Sequence, residues 1–228
     1  RWGYFPEVKQ YDDVQQLIAE KRPASLLWVG RFLDWKHPDA SVAVAKQLKS
    51  DGFDLELNII GSGDMENSIQ SMIEKNGLED CVHMLGSMKP CDVRSHMERS
   101  EVFLFTSDRR EGWGAVLNEA MNSGCAVVAS HVIGSAPYLI QDGLNGLIYR
   151  DGDIRDLYKK TKWLLTHSAE RKNIALNAYT AMLNEWNAEN AAERFISLAT
   201  EILNGNKHPT VADFGVCSRA EVLKNNWR

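Results

Sequence analysis

SLLWVGRFLDWKHPDASVAVAKQLKSD, residues 25–51, decides how the chain is read. Its first part, 25–30, is a short apolar run that ends in glycine, the size of one buried strand. A charged and aromatic loop follows, from Arg31 to Lys36. Residues 37–51 then place Val42, Ala45 and Leu48 at helical spacing, with Asp39 or Ser41 expected as the cap. The same rhythm recurs outward from this unit. Apolar runs stand at 55–61, 82–86, 102–106, 126–130 and 146–149. Helix-patterned segments lie between them at 64–76, 91–100, 114–123 and 135–141. Alternation of this kind predicts an α/β domain built on a doubly wound parallel sheet, Rossmann-like in plan.

Beyond Tyr149 the pattern becomes helical only, over 153–167, 168–185 and 188–203. Trp163, Leu164 and Leu165 are expected on the apolar face of the first of these helices. Ile196, Leu198 and Ile202 are expected on that of the last. Residues 1–20, with Pro6, read as a linker and a short helix. Residues 21–203 read as the α/β domain with additional C-terminal helices. Residues 204–228 read as an irregular tail, with one short helix near 219–224.

Composition narrows the function classes. Hydrophobic residues make up 44% of the 228 and charged residues 25%, which excludes disorder and leaves enough for a full core. The net charge of −5 argues against a nucleic-acid binder. No apolar run reaches the ~18 residues of a membrane span. The four cysteines are scattered, without a CxxC pair, as in a reduced cytoplasmic protein. Six histidines show no spacing suited to zinc. The chain begins at Arg1 with no signal peptide, and is expected to be a piece of something longer.

In such a sheet, ligands sit beyond the carboxyl ends of the strands. After the first strand come Gly30, Arg31 and Lys36, two cations suited to phosphate oxygens or, equally, to surface ion pairs. After the second come Gly61 and Gly63. Glu66 occupies the place of a third glycine, so a dinucleotide fingerprint fails, which disfavours an oxidoreductase. The turn reads either as a glycine wall beside a phosphate or as a tight turn capped by Asp64. The richest stretch is TSDRREGWGAVLNE, 106–119. Gly112, Trp113 and Gly114 lead into a helix start at Ala115 and Val116, whose free N–H groups suit an anion. Glu111 and Glu119 bracket that stretch, able to accept from sugar hydroxyls or to pair with cations. Asp151-Gly152-Asp153 has the spacing of a metal–nucleotide motif. It opens a helix, however, and reads as an N-cap.

With Glu111-Gly112-Trp113-Gly114…Glu119-Ala120 in place, the sequence resembles the retaining glycosyltransferases of family 4, the group 1 enzymes of GT-B fold. The part resembled is their C-terminal, nucleotide-sugar-binding domain, from Ser25 to Leu203. Val29-Gly30-Arg31 with Lys36, Ile60-Gly61-Ser62-Gly63, Leu85-Gly86, Asn118-Glu119-Ala120-Met121, Gly124 and Asp142-Gly143-Leu144-Asn145-Gly146 follow in the family's order. The resemblance implies that Arg31 and Lys36 hold the donor pyrophosphate, with Glu111 on the donor sugar and Glu119 on the ribose. It places the N–H groups of Gly114, Ala115 and Val116 toward phosphate or sugar. It also sets the Ser87-Met88-Lys89 loop beside the base, touching it mainly through backbone, with Met88 among the binding residues.

The implied donor is a UDP- or GDP-sugar, transferred with retention and without a metal or other cofactor. The acceptor-binding N-terminal domain is absent, so this chain alone is expected to transfer little. That domain is its expected partner, contact with a membrane being peripheral at most. The sequence departs from the family at three places: His37 stands for a glycine, Trp113 for the usual phenylalanine, and Tyr138 near a common glutamate. A sugar-nucleotide epimerase of the same architecture and a non-catalytic nucleotide-binding module are the competing readings.

Overall fold

The computed structural model describes residues 2–3 and 7–219. Six strands, β1 (Arg22–Val29), β2 (Glu56–Ile60), β3 (Val82–Gly86), β4 (Ser100–Phe105), β5 (Ala126–Ser130) and β6 (Leu147–Tyr149), form one parallel sheet. The strand order is β3-β2-β1-β4-β5-β6. That is the doubly wound order, whose direction reverses between β1 and β4. All residues of β4 and β5 are buried, which is why those runs are continuously apolar rather than alternating.

Nine α-helices cover the sheet among the described residues: α1 (Val14–Ala19), α2 (Pro38–Ser50), α3 (Glu66–Lys75), α4 (Pro90–Arg99), α5 (Val116–Asn122), α6 (Ala136–Leu139), α7 (Ile154–Thr166), α8 (Ser168–Asn184) and α9 (Ala188–Leu203). The strand period of two splits the core. Leu26 and Trp28 face one side with Leu48 of α2 and Ile69 of α3. Leu27 and Phe103 face the other with Leu117 and Met121 of α5 and Met182 of α8. No helix among the described residues is long and apolar enough to cross a membrane.

Several local expectations are corrected. Neither Asp39 nor Ser41 caps α2. His37 takes the N-cap position with φ +49°, and the Ser41 hydroxyl donates back to the Pro38 carbonyl at 2.6 Å. Asp64 does not cap α3, which begins after Met65. Asp153 does cap α7, accepting from the Asp156 N–H at 3.0 Å. Trp163 is 36% exposed and stacks on His167 instead of entering the core. Ile196 and Ile202 are 64% and 55% exposed, so α9 turns much of its apolar side outward. The segment read as a linker is packed in part: Ile18 is buried, and Asn122 grips the Lys9 backbone at both N–H and carbonyl. The tail is held too, with Arg194 donating to the Phe214 and Val216 carbonyls at 3.0 and 3.1 Å. Pro6 and residues 220–224 lie outside the described residues.

One buried cation ties together the helices on the site side. Lys21, 5% exposed, donates to the carbonyls of Met97, Glu98 and Ser123 at 2.8–2.9 Å. These are carbonyls at the C-terminal ends of α4 and α5, where the regular helix bonds run out. Burial pulls the Lys21 pKa down, against smaller upward pulls from Cys125, Glu98 and Glu101. Lys21→Met keeps the stem and strands the carbonyls. It is expected to lower unfolding free energy by about 2–3 kcal/mol, read by urea denaturation.

Candidate functional site

The reversal between β1 and β4 brings two loops together at the carboxyl edge of the sheet. They are stitched at several points. Thr106, directly after β4 and 1% exposed, accepts from the Trp28 indole N–H at 2.8 Å. Its own hydroxyl lies 2.7 and 2.9 Å from the Lys36 and His37 carbonyls and shares one proton between them. The Asp108 N–H donates to the Trp35 carbonyl at 2.9 Å. Arg110 spans the gap, donating to Asp108 at 2.9 Å and to Asp34 at 3.2 Å. The left-handed backbone at His37 explains why a glycine would serve there. A non-glycine residue is tolerated with its ring 3.7 Å from Asp108.

This stitching places Lys36 Nζ 2.5 Å from Glu111 Oε2. Both side chains are largely buried, 15% and 10% exposed. Ser107, 1% exposed, donates to the same carboxylate oxygen at 2.9 Å. Lys36 also lies 4.6 Å from the centre of the Trp35 ring. Arg31 stands apart: it is exposed, and among the described residues its guanidinium has no hydrogen-bond or ion-pair partner.

The glycines serve loop contact first. Gly61 has φ +139°, and a Cβ there would lie 1.8 Å from the Gly30 carbonyl oxygen. Gly63 has φ +150° against the Phe32 backbone. The loops after β1 and β2 are thus zipped together, Phe32 N–H to Ser62 carbonyl at 2.8 Å and Met65 N–H to Phe32 carbonyl at 3.0 Å. Ser62 and Ser87 hydroxyls meet at 2.8 Å, which joins the loop after β3, where Met88 packs partly buried.

The Gly112–Val116 stretch is pinned from behind. A Cβ on Gly134 would lie 1.6 Å from the Gly112 carbonyl oxygen, and one on Gly114 would enter the Phe105 ring. Among the described residues the N–H groups of Gly112, Trp113, Gly114, Ala115 and Val116 have no backbone acceptor. Gly114 lies beside the Glu111 side chain that pairs with Lys36.

Glu119, on the first turns of α5, is partly buried and has no hydrogen-bond partner for its carboxylate among the described residues. It faces a cavity of about 410 Å³ shared with Pro90, Cys91, Arg94, Glu7 and Lys9. Burial pushes its pKa up, against a smaller pull downward from Arg94. Arg94 is in turn held by Asn122 Oδ1 at 3.0 Å. The arrangement is therefore one self-paired site at the crevice and one open carboxylate beside a cation. They are joined by a run of free N–H groups.

Sequence reasoning did not single out Ser107, Arg94, Thr106 or Gly134. Ser107 and Thr106 lie inside the quoted stretch, and their position just past a buried strand was an available signal. Arg94 sits on a helix face with no motif around it. Among the described residues no three His, Cys, Asp or Glu side chains gather in a way that could hold a metal ion.

The family model "Glycosyl transferases group 1" matches residues 9–181. The chain belongs to this family. The amylovoran biosynthesis glycosyltransferase AmsK of Erwinia amylovora is 29% identical over 174 residues, 74% of this chain and 42% of AmsK. The chain thus spans about two fifths of that relative. Among solved structures, S. aureus TarM, crystallised with UDP, superposes with a TM-score of 0.75 at 21% identity. The match covers 84% of this chain and 37% of TarM. The C-terminal domain of the group 1 protein LpcC of Francisella tularensis superposes at 0.68 and 20% identity, over 79% of this chain and 96% of that domain. The fold is that of the C-terminal half of a GT-B glycosyltransferase.

The raised pKa of Glu119 carries a sign. Its folded value lies above the unfolded one, so protonation favours folding, and stability is lost as pH rises from the unfolded value through the folded one. Glu119→Gln removes that cost. It is expected to raise the melting temperature at pH 7 and flatten its pH dependence above about 4.5, checked by calorimetry from pH 4 to 8.

Proposed function

We propose that this chain is the donor-binding half of a retaining glycosyltransferase, moving a sugar from a UDP- or GDP-sugar to an acceptor held by a further domain. The observation that carries this reading is the pairing of Lys36 with Glu111 at the switch point of the sheet. A cation for the diphosphate and a carboxylate for the sugar stand side by side. UDP bound to TarM, which shares the fold, supports a nucleoside diphosphate as the ligand.

In this reading the diphosphate lies along the N–H groups of Gly112–Val116. Lys36 reaches it from one side and the free Arg31 from the solvent side. Displaced from Lys36, Glu111 accepts from hydroxyls of the donor sugar, with Ser107 holding its angle. Glu119 accepts from the ribose hydroxyls in its cavity, with Arg94 as counter-charge. Gly30, Gly61 and Gly63 keep the crevice wall close to the ligand, and Met88 lies beside the base.

Transfer breaks the bond between the anomeric carbon and the diphosphate oxygen. Negative charge builds on the leaving diphosphate. Lys36, Arg31 and the N–H dipoles meet that charge in this reading, which includes no metal. The acceptor hydroxyl arrives from the other domain, so this chain alone binds the donor and turns it over poorly.

Calorimetric titration with UDP tests the assignment. Lys36→Ala is expected to weaken binding about 10- to 100-fold, the loss of a charged hydrogen bond. Glu111→Gln leaves Lys36 without its resident partner and binds UDP at least as tightly as wild type, while losing affinity for the intact UDP-sugar. Wild-type binding of neither UDP nor GDP, or Lys36→Ala binding unchanged, would overturn the assignment.

A further inference from the structure

Trp113 stands between two glycines in the loop that presents the free N–H groups, and its indole needs a partner there. The indole N–H donates to Asn118 Oδ1 at 2.9 Å. Asn118 is fully buried, on the core face of α5. Among the described residues its oxygen accepts from nothing but Trp113, and its amide nitrogen meets only the Met182 sulfur, at 3.6 Å. A buried amide on an apolar helix face is unfavourable for packing and for helix propensity. Stability alone would place leucine at 118. The amide belongs to the loop.

The rest of the indole is equally constrained. It stacks on Tyr138 at 5.9 Å and 16°, and lies 6.0 Å from the fully buried Trp186. Without the hydrogen bond, these rings still give Trp113 an apolar surface to lie on. Gly3 closes a further side, so near that a Cβ there would lie 2.3 Å from the Trp113 ring. The bond to Asn118 adds a directional constraint on the indole N–H.

We infer that Asn118 is a positioning residue for the donor site. By fixing the Trp113 indole it sets the path of the Gly112–Ala115 backbone, and so the aim of the N–H groups and of Glu111 at the diphosphate. This inference rests on the donor reading for its ligand, but not for its mechanical half. Asn118 touches no donor atom itself.

The test uses the full chain as Asn118→Leu, Trp113→Phe and the double variant. Two-dimensional NMR follows the Trp113 indole N–H, assigned by its loss in Trp113→Phe, and the Gly112 and Gly114 amides. UDP titration runs in parallel. Asn118→Leu is expected to displace the indole and both glycine signals and to weaken UDP about tenfold, with the melting temperature kept. The double variant carries an aromatic that needs no acceptor, and is expected to return the glycine signals and bring affinity to within about threefold of wild type. Unmoved glycine signals in Asn118→Leu overturn the inference. So does a double variant as weak as Asn118→Leu, or UDP affinity unchanged while the indole signal moves. Failure of the wild-type chain to bind UDP or GDP removes the donor reading instead, and the glycine signals then decide this one.

Discussion

Everything at the site depends on the reversal of strand order between β1 and β4. Parallel strands force each connection back across the sheet, and where the winding changes sides the two adjacent loops diverge and leave a crevice. Here the crevice is bridged before any ligand arrives. Thr106, Asp108 and Arg110 hold the β1 and β4 loops together, and Lys36 meets Glu111 across the opening. The charged pair is affordable in this half-buried place because Ser107 and the Trp35 ring share its desolvation.

Glu119 follows the opposite logic. Its carboxylate is partly buried without a hydrogen-bond donor among the described residues, whereas two other deeply placed charges are well partnered. Lys21 has three carbonyls, and Glu101 has Arg171 and the Ala24 N–H. On the donor reading, the ribose hydroxyls supply the donors that Glu119 lacks, and stability is given up there for binding.

The architecture was legible in residue pattern because burial on both faces leaves unbroken apolar runs, and helices leave a 3.6-residue stripe. Strand and helix positions follow from that alone. Asp153 follows too as the cap of α7, but the cap of α2 does not, since His37 adopts a left-handed backbone that no spacing rule announces. The outward side of α9 was misread for a related reason: periodicity reports an apolar face without saying whether this chain covers it. At the site, the glutamates and cations were visible as motif residues. Their contacts across sequence were not. Lys36 with Glu111, Gly134 beneath Gly112, and Asn118 beneath Trp113 join positions that only the folded sheet brings together.

The Lys36–Glu111 pair also makes the empty crevice nearly self-neutralised. On the donor reading, a small anion that captures Lys36 costs Glu111 its ion-pair partner and leaves it the Ser107 hydroxyl. A ligand that carries both a diphosphate and a ring of hydroxyls compensates each side of the broken pair at once. The resting contact thereby works as a filter, one that discriminates by demanding two kinds of chemistry from a single molecule rather than by shape.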